Sequence, residues 1–97
     1  MTIPRKTVRI NGRRWRIAVV DRISDADEYG LCDHADRRIV LKRGPLHQLQ
    51  DTLFHEITHA ACPSLTEDVV AEVERGLYGV LNEHPWLREW LFRSGKT

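Results

Sequence analysis

The sequence L-H-Q-L-Q-D-T-L-F-H-E-I-T-H-A-A, residues 46–61, is the segment around which the rest of this chain is organised. Its apolar positions recur at intervals of three or four residues, which predicts an amphipathic helix. These positions are Leu46, Leu49, Leu53, Ile57 and Ala60. At about 100° per residue, His55 and His59 lie on the side of this helix opposite the apolar stripe. The two histidines are therefore predicted to face a cleft or solvent rather than the core.

Five residues of this helix, His55-Glu56-Ile57-Thr58-His59, form an H-E-x-x-H motif. Two imidazoles one helical turn apart can bind one metal ion, and the Glu beside the first can accept a proton from a water on that metal. A catalytic zinc site has three protein ligands and keeps a fourth position for water. We therefore predict His55 and His59 as metal ligands and Glu56 as the general base of a metal-assisted hydrolysis.

A second helix is predicted to fold back along the first. Pro63 ends the first helix, and Thr66 is predicted to be the N-cap of a helix that continues to about Asn82. The apolar stripe of this second helix is predicted at Leu65, Val69, Val73, Leu77 and Val80. Because the linker is short, the two helices should form an antiparallel pair.

This antiparallel arrangement brings acidic residues within reach of the two histidines. Glu67 is the preferred third ligand, because it lies in the first helical turn and its side chain is one methylene longer than that of Asp68. The alternatives that the sequence leaves open are Asp68, Glu72, Cys62 and His84.

A small sheet is predicted ahead of the motif helix. Four segments alternate in polarity or are rich in β-branched residues, and Asn11-Gly12 between the first two is a strong hairpin signal. The predicted strands are Thr7–Ile10, Arg14–Val20, Tyr29–His34 and Arg38–Lys42. They should form an antiparallel or mixed sheet of three to four strands. We expect Ile39–Lys42, just before the motif helix, to pair with an extended substrate backbone.

The C-terminal segment Pro85–Phe92 is predicted to be a short last helix. Its large apolar residues recur in i, i+4 pairs, as expected of side chains that close a core. These residues are Trp86, Leu87, Trp90 and Leu91.

Composition describes one globular domain over residues 1–97. The chain is 41% hydrophobic and 30% charged, which allows one modest core but not two. Met1–Val8 contains no apolar run, and no stretch approaches the roughly 18 apolar residues of a membrane span. We therefore expect a cytoplasmic protein without membrane association. Cys32 and Cys62 are too few for a disulfide framework and are predicted to be free thiols.

Positive charge is concentrated at the N-terminus. Residues 1–22 contain seven cations and one acid, although the whole chain has a formal net charge of +1. The predicted hairpin therefore has an outer face lined with arginine. Such a face is either a solvated sheet surface or a contact surface for nucleic acid.

The segment Asp51–Leu91 resembles a known family. It contains D-T-L-F-H-E-I-T-H-A, then L-T-E-D-V-V-A-E-V-E-R-G-L-Y-G-V-L, and finally P-W-L-R-E-W-L. These residues resemble small zinc metallopeptidases of phages and prophages, which are similar to the ImmA/IrrE-like and minimal gluzincin group. With the strand D-R-R-I-V-L ahead of the motif, the resemblance covers most of residues 7–92.

This resemblance implies an α+β, zincin-like fold in which a small sheet packs on the H-E-x-x-H helix, followed by a second antiparallel helix and a short C-terminal helix. It implies Zn²⁺ as cofactor and His55 and His59 as ligands. It also implies Glu56 as the general base and Glu67 as the acidic residue at the start of the second helix.

Three functions are compatible with these features. The leading hypothesis is a zinc-dependent metallopeptidase that acts on a protein or peptide in the cytoplasm of a bacterial host. The second is a non-enzymatic, zinc-containing module that binds a partner such as a phage regulator. The third is a SprT-like protease associated with nucleic acid, which would use the arginine face for docking and His84 as a third histidine ligand.

Overall fold

The computed structural model describes residues 5–24 and 28–95 of the chain, and its elements follow the predicted order. The strands are β1 (Arg5–Ile10), β2 (Arg13–Val20), β3 (Gly30–Asp33) and β4 (Arg38–Lys42). The helices are α1 (Leu46–Ala61), α2 (Glu67–Val73), a π-helical segment (Glu74–Tyr78), α3 (Gly79–Glu83) and α4 (Pro85–Leu91). The predicted α+β class is confirmed. Within the described residues, no helix is both long enough and apolar enough to cross a bilayer.

The four strands form one mixed sheet in the order β1-β2-β4-β3. β1 and β2 are antiparallel and joined by Asn11-Gly12, whose φ angles of 53° and 80° are those of the predicted tight turn. β2 and β4 are parallel, whereas β3 and β4 are antiparallel.

The central position of β4 corrects one prediction. Ile39–Lys42 was expected to pair with a substrate, but this strand is hydrogen-bonded to β2 on one side and to β3 on the other. Its backbone groups are therefore already used. The expectation failed because strand order is not encoded in the polarity pattern of the strands. The strand at this edge of the sheet is β3.

The core lies between one face of the sheet and α1. Ile39 and Leu41 of β4 are completely or almost completely buried, and Trp15 and Ile17 of β2 are nearly so. The apolar side of α1 packs against them. Burial of each such aliphatic side chain contributes about 1.5–3 kcal/mol. The predicted alternation in β2 and β4 therefore identifies the inner face of the sheet.

The hairpin turn is tied to the end of α1. The Asn11 side-chain amide donates a hydrogen bond of 2.9 Å to the Ala61 carbonyl. Carbonyls in the last turn of a helix have no partner within the helix, so this contact satisfies one of them. It also fixes where the tip of the hairpin meets α1.

The second helix begins as predicted. The Thr66 hydroxyl accepts a hydrogen bond from the Val69 amide, and the helix packs back on α1. Its predicted apolar stripe is wrong, because the fully buried residue is Val70, whereas Val69 and Leu77 are 38% and 56% exposed. The π-helical segment begins after Val70 and interrupts the 3.6-residue spacing only for the later part of that stripe, at Leu77 and Val80.

The C-terminal helix does not close the core. Trp86 and Trp90 are 65% and 63% exposed, and Leu91 is 50% exposed. Among the described elements, α4 contacts α3 alone, so it has no sheet surface against which to bury these rings. The Arg88 guanidinium anchors it by donating to the carbonyls at the end of α3.

This difference in burial is measurable. We expect Ile39→Ala to lower the free energy of unfolding by about 2–5 kcal/mol, because it leaves a cavity in the core. Trp90→Ala should change it by about 0.5 kcal/mol or less, because its ring is mostly exposed. Urea denaturation of both variants measures the two values. A larger loss for Trp90→Ala than for Ile39→Ala would contradict this description of the core.

Candidate metal centre

Three side chains from two helices converge at the open side of α1. One ligand atom each of His55, His59 and Glu67 lies within 4.8 Å of the others. Glu67 Oε1 is 2.5 Å from His55 Nε2, and Glu67 Oε2 is 2.9 Å from His59 Nε2. This ligand group of His55, His59 and Glu67 could hold a metal ion. The structure thus brings the preferred third candidate, Glu67, to the two histidines of the motif.

The other candidates for the third ligand lie outside this group. Within the described part of the chain, the cluster consists of the two histidines and Glu67. Asp68 and Glu72 are exposed on α2, and Cys62 is exposed beyond the end of α1. His84 lies beside Glu83, at 3.5 Å. Within the described residues, none of these four side chains is placed to be a third ligand instead of Glu67.

Glu74 is a site residue that sequence reasoning missed. Its Oε1 atom is 2.8 Å from His55 Nδ1, and its side chain is only 26% exposed. A carboxylate on the far nitrogen of a histidine fixes the ring orientation and leaves the other nitrogen for a metal. The available signal was spacing, because Glu74 follows Glu67 by seven residues, two helical turns along one face.

The carboxylates change the protonation of His55. Desolvation by burial acts to lower the pKa of His55, but the hydrogen bonds with Glu74 and Glu67 outweigh it and raise the pKa above its usual value. Desolvation acts to raise the pKa of Glu67, and its hydrogen bonds with His55 and His59 more than reverse this effect and lower it. The cluster therefore combines an ionised carboxylate with an imidazole that gains a proton readily.

The Glu56 side chain lies against the edge strand at Gly30 and lines the same cleft as His55, His59 and Glu67. It is 8% exposed, the one buried charged residue in the described part of the chain. Burial raises the pKa of its carboxyl group, an effect that the neighbouring His55 and His59 moderate. A carboxylate in this setting holds a proton more readily than an exposed Glu does.

The absence of a side chain at Gly30 makes room for Glu56. A Cβ atom at residue 30 would overlap the Cγ2 atom of Thr52 and would lie 3.1 Å from both Cγ and Oε2 of Glu56. Glycine at this position therefore allows the close approach of β3 to α1, and it is not needed for an unusual backbone conformation.

A cleft of about 750 Å³ runs between β3 and α1. The ligand group and Glu56 line it from the helical side, and Cys32 and His34 line it from β3 and the turn that follows. The polar side of α1, which was predicted to face a cleft or solvent, lines this cleft. Burial, Glu56 and Asp33 together raise the pKa of Cys32 to about 11, so this cysteine is a neutral thiol at physiological pH.

Comparisons of this chain with protein-family models, curated proteins and solved structures give no match. The resemblance to ImmA/IrrE-like metallopeptidases and the zincin-like fold therefore stay predictions.

The close packing at Gly30 leads to a first test of the site. Gly30→Ala should lower the free energy of unfolding by about 1–3 kcal/mol, because the new methyl group overlaps Thr52. Ser at position 52 lacks the Cγ2 atom, so Gly30→Ala/Thr52→Ser should recover part of this loss. Urea denaturation of the single and double variants measures both effects. Unchanged stability in Gly30→Ala would show that β3 does not approach α1 as described.

The contact with Glu74 leads to a second test, in the metal-free protein. Glu74→Gln should lower the pKa of His55, measured by NMR titration of the imidazole, because it replaces a charged acceptor, which favours the protonated ring, by a neutral one. In the parent protein, the stabilisation by charged His55 is complete below the unfolded pKa and is lost as pH rises through the higher folded pKa. In the variant the folded pKa is lower, so the stabilisation should be smaller and its loss should be complete at lower pH. Glu72→Gln, at an exposed site on α2, is the control and should leave the titration of His55 unchanged.

Proposed function

We propose that this protein is a zinc-dependent metallopeptidase that hydrolyses a protein or peptide substrate. The observation that supports this most directly is the meeting of His55, His59 and Glu67 at a cleft whose wall also contains Glu56. Two histidines and a glutamate are one of the ligand sets of catalytic zinc sites.

The chemistry of the donor atoms favours zinc over harder ions. Mg²⁺ and Ca²⁺ prefer oxygen ligands, whereas this group offers two imidazole nitrogens and one carboxylate. Zinc bonds of about 2.0–2.1 Å in a tetrahedral site separate the ligand atoms by about 3.3 Å. The contacts of Glu67 with the histidines, 2.5 and 2.9 Å, are somewhat shorter. Its side chain is 71% exposed and so has room to move outward.

When bound at these ligands, Zn²⁺ would supply a Lewis acid that acidifies water and polarises a carbonyl group. The roles of the protein's own residues follow from their positions. Glu74 holds the His55 ring with Nε2 toward the ligand group. Glu56 would accept a proton from the attacking water and pass it to the nitrogen of the departing amine. Its raised pKa suits a group that must both take and release a proton.

The edge strand β3 is the best candidate for binding an extended substrate. It lines the cleft, and among the described strands it pairs with β4 alone, which leaves one edge with unpaired backbone groups. An extended peptide can add to such an edge through main-chain hydrogen bonds. This assignment replaces the earlier expectation for Ile39–Lys42.

The ligand group also favours a site of two histidines and one glutamate over a SprT-like site of three histidines. Glu67 lies where the third ligand is needed, and His84 is outside the group. The non-enzymatic module is separated from the peptidase by experiment, because both would bind zinc but only the peptidase needs Glu56.

Metal analysis of the purified protein tests the zinc site. We expect one zinc per chain, and Glu67→Gln should weaken binding in a chelator competition by more than the 10- to 100-fold that loss of an outer partner typically costs. Asp68→Asn, the adjacent exposed carboxylate in the same turn, is the matched control and should bind zinc like the parent protein. Absence of stoichiometric zinc, or equal effects of the two substitutions, would overturn the site.

Activity is measured on the same samples with a proteome-derived peptide library and mass spectrometry. Zinc-loaded protein should cleave peptides, and Glu56→Gln should slow cleavage by about 10²-fold or more while keeping its zinc, since general bases contribute about 10²–10⁴-fold. Zinc binding without any cleavage would contradict the peptidase and favour the non-enzymatic, zinc-containing module. Full activity in Glu56→Gln would remove Glu56 from the mechanism.

A further inference from the structure

The outer face of the sheet, opposite α1, is strongly cationic. On every strand the residues that point away from α1 alternate with the core residues. The cations in these outward positions are Arg5, Arg9, Arg14, Arg16, Arg38 and Lys42. Among the described elements, α1 is the one helix that contacts the sheet, so this outer face has no helical cover. It is an open surface with six positive charges.

Among the described residues, acidic side chains balance little of the charge on the arginines of this face. Asp33 is the one acid in the outward strand positions, and it lies 3.5 Å from Arg38. In the described part of the chain, the guanidinium groups of Arg9, Arg14 and Arg16 have no carboxylate partner. The net charge of the whole protein, +1, therefore conceals a strongly positive face.

The strand register places several of these cations next to one another. Arg9 is directly opposite Arg14 in the antiparallel pair β1–β2, and Arg16 is beside Arg38 in the parallel pair β2–β4. Like charges directly across two strands destabilise a sheet. A groove of about 650 Å³ is lined on this face by Arg5, Arg16 and Arg38. The repulsion between cations around a groove is offset by their attraction to an anion with several charges that lies between them.

We propose that this outer face binds the phosphate backbone of a nucleic acid. Arginine is suited to phosphate because its planar guanidinium can donate two parallel hydrogen bonds to phosphate oxygens. The strands bring no aromatic side chain to this face, so contacts are to phosphates rather than to stacked bases and carry no sequence preference. Single strands and duplexes share this chemistry.

This surface is separate from the proposed peptidase site and does not depend on it. The ligand group of His55, His59 and Glu67 lies on the side of the sheet that α1 covers, whereas the cations point to the opposite side. A nucleic acid on the outer face would leave the cleft between β3 and α1 open. The proposal can therefore be tested on protein without metal.

Fluorescence anisotropy with labelled oligonucleotides, one single-stranded and one duplex, tests the proposal between about 50 and 200 mM salt. Affinity should fall steeply as salt rises. Arg14→Ala/Arg16→Ala should weaken binding and reduce the slope of log K against log salt by about 1.8 for the duplex or 1.4 for the single strand. The matched control, Arg75→Ala/Arg93→Ala, removes two exposed cations that lie outside the sheet, one in the π-helical segment and one after α4, and should leave the slope unchanged. Arg14→Lys/Arg16→Lys keeps both charges and should retain the slope.

Three outcomes would overturn the proposal. The first is no binding by the parent protein at the lowest salt concentration. The second is an equal loss in the control variant, which would reflect net charge rather than this face. The third is equally tight binding of poly-glutamate or of anionic vesicles, which would show a surface for anions in general. Thermal unfolding of each variant confirms that the fold is retained.

Discussion

The close approach of α1 to the edge strand β3 is the constraint on which the rest of the structure depends. Residue 30 has no Cβ atom, so the Glu56 side chain can lie against the backbone of β3. The apolar side of the same helix covers Ile39 and Leu41. One helix therefore forms the core, one wall of the cleft and the buried carboxylate. Any increase in the distance between α1 and β3 would change all three together.

The ligand group is completed by the way in which the second helix begins. Capping by Thr66 places Glu67 in the first turn, where it meets both imidazoles, and the start of the π-helical segment places Glu74 behind His55. The two carboxylates have different roles. Glu67 lies at the nitrogens of both histidines where a metal ion could be held, whereas Glu74 contacts His55 from the opposite nitrogen. The physical result is a preorganised pair of imidazole nitrogens beside an exposed carboxylate that is free to adjust.

The two faces of the sheet have opposite characters. The inner face is apolar and supports α1, and therefore the cleft, whereas the outer face carries cations that repel one another across neighbouring strands. Such repulsion costs stability, and nothing in the core requires arginine on the outer face. The two proposals together describe a peptidase that acts near nucleic acid. The exposed tryptophans of α4 form a third kind of surface, at the far end of the helical half.

Local pattern determined most of the secondary structure. The alternation in β2 and β4, the Asn11-Gly12 turn, the helix over Leu46–Ala61 and the N-cap at Thr66 were predicted from the sequence, because each depends on neighbouring residues. The position of the motif histidines on the polar side of α1 was also predictable, since it follows from helical spacing alone. Glu67 was the preferred ligand for the same local reason, its place in the first turn of a helix that folds back.

Tertiary structure decided what depends on distant partners. The order of the strands puts β4 in the centre of the sheet and β3 at its edge. No property of the segment Ile39–Lys42 itself reveals that it is a central strand. Glu74 became a partner of His55 only when the helices packed, and the same packing buried Val70 rather than the predicted Val69. The exposure of Trp86 and Trp90 likewise depends on what α4 contacts. Sequence fixes which side of an element is apolar, because side-chain periodicity is local, but packing alone decides whether another element covers that side.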